Sequence, residues 1–290
     1  MQLINWNVQW GRDASGRVDL GRTVAEARAL ADFDVLCLQE LTRGFDSLPG
    51  GPGADQFAEL AALLPGYTVI EALAVDLPPD PGQAAAGAPR RQFGNAIATR
   101  LPVGRILRHT LPWPADDSVP SMPRVALEAN LQTAHGPLRV VTTHLEFYSG
   151  AQRMAQVEAL REQHREAIDH ARHPASAEKT GSAFTASARA RDAVVCGDFN
   201  SAWRDDAYRR LLAPIDGAPA FVDAWMHAHP GETPPPPTAG VHDTQQWQQG
   251  SLTCDFVFVT ETLRERILRC EIDGTTRASD HQPILLELRD

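Results

Sequence analysis

The chain has 290 residues, with 37 acidic against 27 basic side chains and a formal net charge of −10. That balance argues against a broad basic footprint for nucleic acid, though not against a local one. No apolar run approaches the ~20 residues that a membrane span needs, and no internal stretch reads as a linker, so a single α/β domain over residues 1–290 is expected.

Short β-type runs alternate with helical patterns and turn clusters. Residues 3–8 predict a first strand, and Leu20, Val24, Ala27 and Ala31 recur at helical spacing. Residues 34–41 predict a second strand whose Val35-Leu36-Cys37-Leu38 run suits burial on both faces. A helix over residues 56–64 is stopped by Pro65-Gly66, and residues 67–75 read as a strand. Residues 77–91, rich in Pro, Ala, Gly and Gln, predict a surface loop ending in Arg90-Arg91.

Strands then follow closely over residues 95–99, 104–111, 124–132 and 138–144, with a loop over 112–123 opened by Pro112-Trp113-Pro114. Residues 151–171 give the clearest helix, with Met154, Val157, Leu160, His164 and Ile168 on one face. Residues 173–189 are small, polar and weakly patterned, which predicts a loop. A strand over 193–196, a short helix over 206–212, a stiff proline run over 234–237 and closing strands over 256–260, 268–272 and 283–288 complete the chain. Strands outnumber helices and often adjoin in sequence. The pattern therefore predicts two stacked mixed sheets with helices outside, rather than one doubly wound parallel sheet.

Cys37, Cys196 and Cys254 sit in apolar runs, and no pair among the four cysteines has zinc-ligand spacing. They read as buried free thiols of a reducing compartment. The start, Met1-Gln2-Leu3-Ile4-Asn5-Trp6, lacks the basic and then apolar segments of a signal peptide. A cytoplasmic protein without a membrane anchor is the expectation.

Five polar clusters close apolar strands: Asn5-Trp6-Asn7, Gln39-Glu40, Thr143-His144-Leu145, Asp198 with Asn200, and Asp280-His281. One polar strand end is ordinary, because strands must finish somewhere wet. Five carrying carboxylates, amides or imidazoles suggest a shared polar cleft. A carboxylate after a buried strand, as at Glu40, is costly unless it is paired or holds a cation. Oxygen-rich surroundings suit Mg²⁺ or Mn²⁺ rather than zinc. Asp255, inside Asp255-Phe256-Val257-Phe258, is suited to orient an imidazole such as His281. The plainer alternatives are an arginine partner for Glu40, a structural His144 and a turn-capping Asp255.

In this order the strings Asn5-Trp6-Asn7-Val8, Leu38-Gln39-Glu40, Gly94-Asn95-Ala96-Ile97, Thr143-His144-Leu145, Gly197-Asp198-Phe199-Asn200, Asp255-Phe256-Val257-Phe258 and Ser279-Asp280-His281-Gln282-Pro283 resemble the endonuclease/exonuclease/phosphatase (DNase I-like) superfamily. The resemblance implies a four-layer α/β sandwich and a divalent-metal-dependent phosphoester hydrolase, a phosphodiesterase, nuclease or phosphatase. It implies Glu40 as the principal metal ligand with Asn7 beside it, and Asp280 as a second acidic residue near a Mg²⁺ or Mn²⁺ ion. It implies His281 as general base or phosphate contact, Asp255 as its orienting carboxylate, and Asp198 with Asn200 as the pair that positions water and phosphate. His144 resembles a second histidine that donates to a phosphate oxygen, in a place where apurinic-site endonucleases carry tyrosine. Gln9 replaces an acidic residue found in some members, so one metal is expected rather than two.

A scaffold that keeps the fold with a decayed site is the competing class, but the acidic and imidazole positions are all filled. A zinc hydrolase would want a His-Glu-x-x-His pattern or clustered Cys and His, and neither occurs. Substrate choice is expected in the loops over 77–91, 112–123, 147–150 and 230–250. Trp113 and Trp247 are candidates there to stack on a base or a headgroup, against the plainer role of packing within their own loops. Arg124 and Asn95 read equally as substrate contacts or structural groups. Lysine occurs once, at Lys179, and no dense basic run is present. That favours small phosphoesters or single strands over a duplex as the substrate.

Overall fold

The computed structural model describes residues 1–80, 87–174, 183–184, 189–231 and 234–289. Lys179, most of the expected 173–189 loop and part of the 77–91 loop lie outside the described residues.

The strands are β1 (Gln2–Asn7), β2 (Val35–Arg43), β3 (Thr68–Leu77), β4 (Arg91–Thr99), β5 (Val103–Thr110), β6 (Val125–Thr133), β7 (Gly136–His144), β8 (Ala193–Asp198), β9 (Phe221–Asp223), β10 (Asp255–Thr260), β11 (Ile267–Ile272) and β12 (Ile284–Leu288). The helices are α1 (Leu20–Leu30), α2 (Gln56–Leu63), α3 (Gly150–Arg172), α4 (Asp206–Leu212) and α5 (Ala224–Ala228). Six strands form one sheet in the order β11-β12-β1-β2-β4-β3, and six form another in the order β5-β6-β7-β8-β10-β9. Each sheet has one parallel pair at its centre, β1 with β2 and β7 with β8, while the remaining pairs are antiparallel.

Strand alternation builds the layers. Leu3, Val35, Cys37 and Ile97 of the first sheet meet Val125, Leu127, Val140, Val194 and Val257 of the second in a buried inter-sheet core. The alternate residues Ile4, Trp6, Leu36 and Leu38 face outward onto Leu20, Val24 and Ala27 of α1 and Phe57 and Leu60 of α2. On the far side Val141, Val195, Phe256 and Phe258 pack under Val157 and Leu160 of α3 and Tyr208 and Leu211 of α4. The result is the expected helix–sheet–sheet–helix sandwich. Each fully buried large apolar side chain contributes about 1.5–3 kcal/mol to holding it.

Each of the five α-helices among the described residues begins on a capping side chain: Asp19, Asp55, Ser149, Asp205 and Asp223 each accept from a backbone N–H in the first turn. On the expected face of α3, Val157, Leu160, His164 and Ile168 are buried and Met154 is half-buried. Two elements were not expected, β9 and α5. A three-residue strand and a five-residue helix are too short to show a period.

One ionic cluster is buried beneath α3. Glu128 of β6 accepts from Arg189 at 2.9 and 3.2 Å and lies 3.4 Å from Arg139 and from His109. Arg139 Nη2 donates to His164 Nδ1 at 2.6 Å, and His164 Nε2–H donates to the Pro219 carbonyl at 3.0 Å. That pattern needs a neutral ring, and burial with Arg139 alongside brings His164 down to about 4. Burial alone would raise Glu128, but His109, Arg139 and Arg189 outweigh it and hold the carboxyl at about 2 against an ordinary 4.5. The stabilisation is therefore complete above pH 4.5 and is lost as pH falls through about 2. Glu128→Gln strands two buried guanidinium groups. It should cost about 3–5 kcal/mol in urea unfolding at neutral pH, with a smaller loss at the acid end. An equal loss at pH 7 and pH 2 would contradict this account.

Candidate active site

Parallel strands finish at the same edge, and this fixes the site. Asn7, the last residue of β1, stands opposite Gln39 of β2, and His144, the last residue of β7, stands opposite Asp198 of β8. β10 begins with Asp255 opposite Asp198, and β12 runs back along β1 with Ile284 opposite Asn5. Asp280 and His281 therefore arrive beside Asn7 just before β12 starts. Trp6 Nε1–H donates to the His281 carbonyl at 2.9 Å, and the Ser279 hydroxyl donates to the Asn7 carbonyl at 2.8 Å. The five polar strand ends are thus brought together, although they span the chain from Asn7 to His281.

Glu40 departs from expectation in one respect. β2 does not end there but continues to Arg43, with a register slip against β4 between Leu38 and Leu41. Glu40 occupies the bulge at φ 65°, a left-handed conformation that costs a non-glycine residue energy and re-aims its side chain. The Asn7 amide nitrogen donates to Glu40 Oε1 at 3.0 Å and to Asp198 Oδ2 at 2.9 Å, while Asn7 Oδ1 accepts from the Gln9 N–H at 3.1 Å. Asn7 thus turns its donor, not its oxygen, to the carboxylates. Asn200, at φ 46°, donates its backbone N–H to Asp198 Oδ1 at 2.8 Å and its side chain to the Leu145 carbonyl at 2.9 Å. Gly197 has φ 150°, and a Cβ there would meet the Thr143 carbonyl oxygen at 1.9 Å. Only glycine lets β7 and β8 close up behind Asp198.

The two histidines carry opposite character. His281 Nδ1–H donates to Asp255 Oδ2 at 2.8 Å, and its Nε2 lies 3.8 Å from Asp198 Oδ2. Burial favours the neutral ring, yet Asp255, Asp198 and Asp280 together raise His281 well above its ordinary value. His144 Nε2 lies 3.5 Å from Asp198 Oδ2 and its Nδ1 lies 3.8 Å from Glu40 Oε1, where it has no hydrogen-bond partner. Burial, then Arg124 and His281, lower it well below the usual range. Glu40 is raised to about 7 by burial and the nearby Asp280 charge. Asp198 is raised to about 6 by burial and Asp255.

Asp280 Oδ2 accepts from Gln9 Nε2 at 2.9 Å and from Trp247 Nε1 at 3.1 Å. Two groups have ligand atoms within 4.8 Å of one another: Glu40, His144 and Asp198, and Asp198, Cys254, Asp255 and His281. Asp280 falls outside both, but its charge still raises Glu40. Glu40, His144, Asp198, Asn200, Asp280 and His281 all line one cavity of about 480 Å³. A more open groove of about 910 Å³ between α4 and α5 is larger, but none of these strand-end groups lines it.

Sequence reasoning left Arg124 undecided, and it proves to line the cavity. It is buried, with Nε 3.4 Å from Glu146 Oε2 and Nη1 without a partner. Its signal in the sequence was only an arginine leading into an apolar strand. Asn95 instead donates to the Val125 carbonyl at 3.1 Å. Gln39 donates to Asn5 at 2.9 Å and to Thr142 at 2.8 Å, a buried tie between the sheets. Trp247 lines the cavity and packs edge-on to His281, 5.6 Å between ring centroids. Trp113 is half-exposed and donates to Ser121 within its own loop.

A model of the Endonuclease/Exonuclease/phosphatase family matches residues 4–281. No curated protein gives a match. Among solved structures, the chain resembles an endonuclease/exonuclease/phosphatase from Beutenbergia cavernae, with 23% identity and a TM-score of 0.62 over 100% of this chain and 71% of that one. A mannosyl-6-phosphatase of Bacteroides thetaiotaomicron is similar at 16% identity and a TM-score of 0.65, each chain covered in full at 100%. The catalytic domain of human nocturnin with bound sulfate is similar at 17% identity and a TM-score of 0.60, over 99% of this chain and 93% of that one. At these identities the likeness concerns the fold.

The geometry makes the charge of His281 depend on Asp255. In Asp255→Asn the ring loses its closest negative neighbour, so its titration midpoint should fall. Histidine NMR across a pH series reads this directly. An unmoved midpoint in a folded variant would show that Asp255 does not govern the ring.

Proposed function

The chain belongs to the Endonuclease/Exonuclease/phosphatase family, and we propose that it is a divalent-metal-dependent phosphoester hydrolase working by in-line attack of water at phosphorus. One observation carries this reading: Glu40, Asn7, His144, Asp198, Asp255 and His281, delivered by six separate strands or their approaches, close around one point. No packing requirement explains that convergence.

The surroundings fit a cation. Glu40, Asp198, Asp255 and Asp280 bring four carboxylates together, while Arg124 is already beside Glu146. Glu40 and Asp198 are raised first by burial and then by the neighbouring carboxylates Asp280 and Asp255, a crowding that a cation would relieve. Glu40 would hold the ion, with Asn7 and Asp280 beside it. The oxygen donors favour Mg²⁺ or Mn²⁺. Such an ion supplies charge neutralisation at the phosphoryl and leaving oxygens.

The chain's own groups account for the rest. The protonated His281, fixed by Asp255, donates from Nε2 to a phosphoryl oxygen. Asn200 and Arg124 share the equatorial charge, and His144 donates from whichever nitrogen faces the phosphate. Asp198, held by Asn7 and the Asn200 N–H, is the better-placed base because His281 already carries its proton. Asp198 takes a proton from water, the water oxygen bonds to phosphorus, the phosphorus–oxygen bond to the leaving alcohol breaks, that alcohol oxygen takes a proton from solvent, and Asp198 returns its own proton to solvent. The site works as part of one domain, and the four buried free thiols support a reducing, cytoplasmic setting.

Turnover should be abolished by EDTA and restored by Mg²⁺ or Mn²⁺ on a panel of phosphomonoesters, phosphodiesters and nucleic acids. Against the most active substrate, His281→Ala and Asp198→Asn should each lower kcat by ~10²–10⁴-fold with the fold intact. Near-full metal-dependent activity in either folded variant would refute the assignment. Uniform inactivity of the native chain would leave it as a scaffold.

A further inference from the structure

We propose that the site is built for small esters carrying a single phosphate on an apolar group, an aryl or branched alkyl alcohol, rather than for sugars, inositol polyphosphates or polynucleotides. This rests on the reading of the site as a phosphoester hydrolase. The first ground is the cavity wall. Beside the polar strand ends, the approximately 480 Å³ space is bounded by Trp10, Phe45, Leu77, Phe93, Phe147 and Tyr148, with Leu48, Val75 and Met122 filling between them. These side chains come from the turn after β1, the loop after β2, the β3–β4 pair, the 112–123 loop and the segment after β7. An apolar surface shared among so many segments is not the by-product of one loop.

The second ground is that the lip is held in place. Phe147, Tyr148 and Leu77 are 47%, 57% and 40% exposed at the mouth of the cavity. Phe147 and Tyr148 are not loose. Arg153 of α3 donates to the carbonyls of Glu146 and Phe147 at 2.7 and 2.9 Å. The Tyr148 N–H donates to Glu146 Oε1 at 3.0 Å, Gln156 Oε1 accepts from the Glu146 N–H at 2.8 Å, and the two rings meet edge to face at 4.7 Å. Aromatic rings fixed before a ligand arrives bind it with less ordering cost.

The third ground is the supply of charge and hydrogen bonds. Among the described residues that line the cavity, Arg124 is the one arginine or lysine, enough for one phosphate. Arginines on neighbouring elements are committed: Arg91 pairs with Asp80 at 2.6 Å, Arg12 donates to Gln9 at 2.9 Å and Arg43 pairs with Asp55 at 2.7 Å. The lining amides are engaged as well, Gln9 with Asp280 and Gln246, and Asn200 with the Leu145 carbonyl through one N–H, leaving the other for the phosphate. A site that selects a polyol needs free donors and acceptors for its hydroxyls. A site that tracks a polyanion needs a row of cations.

The test uses the full chain with Mn²⁺ and matched pairs of substrates: 2-phenylethyl phosphate and its methyl diester, against glucose 6-phosphate and its methyl diester. The phenylethyl compound of the active class should be preferred in kcat/KM by at least roughly tenfold, the effect of burying one aromatic group. Phe147→Ser and Tyr148→Ser, both at exposed positions, should shrink that preference through KM rather than kcat. Hydrolysis with the glucose ester equal or better would overturn this inference and leave phosphoester hydrolysis standing. If no ester turns over, the hydrolase reading fails. The inference is then decided by tryptophan fluorescence from Trp10 and Trp247, where 2-phenylethylphosphonate should bind more tightly than methylphosphonate. Equal affinities would sink it.

Discussion

The Asn7 side-chain nitrogen donates to Glu40 in one sheet and to Asp198 in the other, at 3.0 and 2.9 Å. That one amide is where the sandwich becomes a site. It requires the last residue of β1 to reach across the layer boundary, and so the two sheets must be stacked with their parallel pairs finishing together. The buried Gln39, which donates to Asn5 and Thr142, fixes the same relation one layer deeper. Apolar packing alone leaves neighbouring sheets free to slide by small amounts. Directional bonds between them remove that freedom, because a slipped amide would leave buried polar groups unmatched.

Charge is distributed with the same economy. Carboxylates concentrate where the strands end, and the one ring that must be positive, His281, is surrounded by three of them. The other ring, His144, is held neutral by burial with Arg124 and His281 nearby. A second ionic cluster, Glu128 with Arg139, Arg189 and His109, is kept separate beneath α3, and Glu166 beside Arg189 supplies the second carboxylate that balances its two guanidinium groups. One cluster is satisfied and supports the fold. The other is left short of positive charge, which suits it to hold a cation.

Much of this was legible in the residues. A buried strand announces itself as an apolar run, so the polar residue that ends it is conspicuous: Asn7, His144, Asp198 and Asp255 were each visible in this way. The sandwich followed from strands that adjoin in sequence. What the residues hid was local backbone geometry and distance in space. Nothing in Leu38-Gln39-Glu40-Leu41 signals that the strand continues through a bulge, because a bulge is defined by the partner strand. Arg124 looked like an ordinary strand-leading arginine, and only the fold shows its guanidinium in the cavity. β9 and α5 are set by what packs against them rather than by a repeating pattern.

Among the described residues, the non-glycine positions with left-handed backbone are Gln9, Trp10, Glu40, Asn200 and Arg204, and the first four line the cavity. Each such conformation costs of order 1–3 kcal/mol. The molecule would therefore tolerate heat better if its business end were relaxed. Selection for thermal endurance alone, with no demand for turnover, should drift toward glycine at these places and wear the catalytic apparatus away while the scaffold improved.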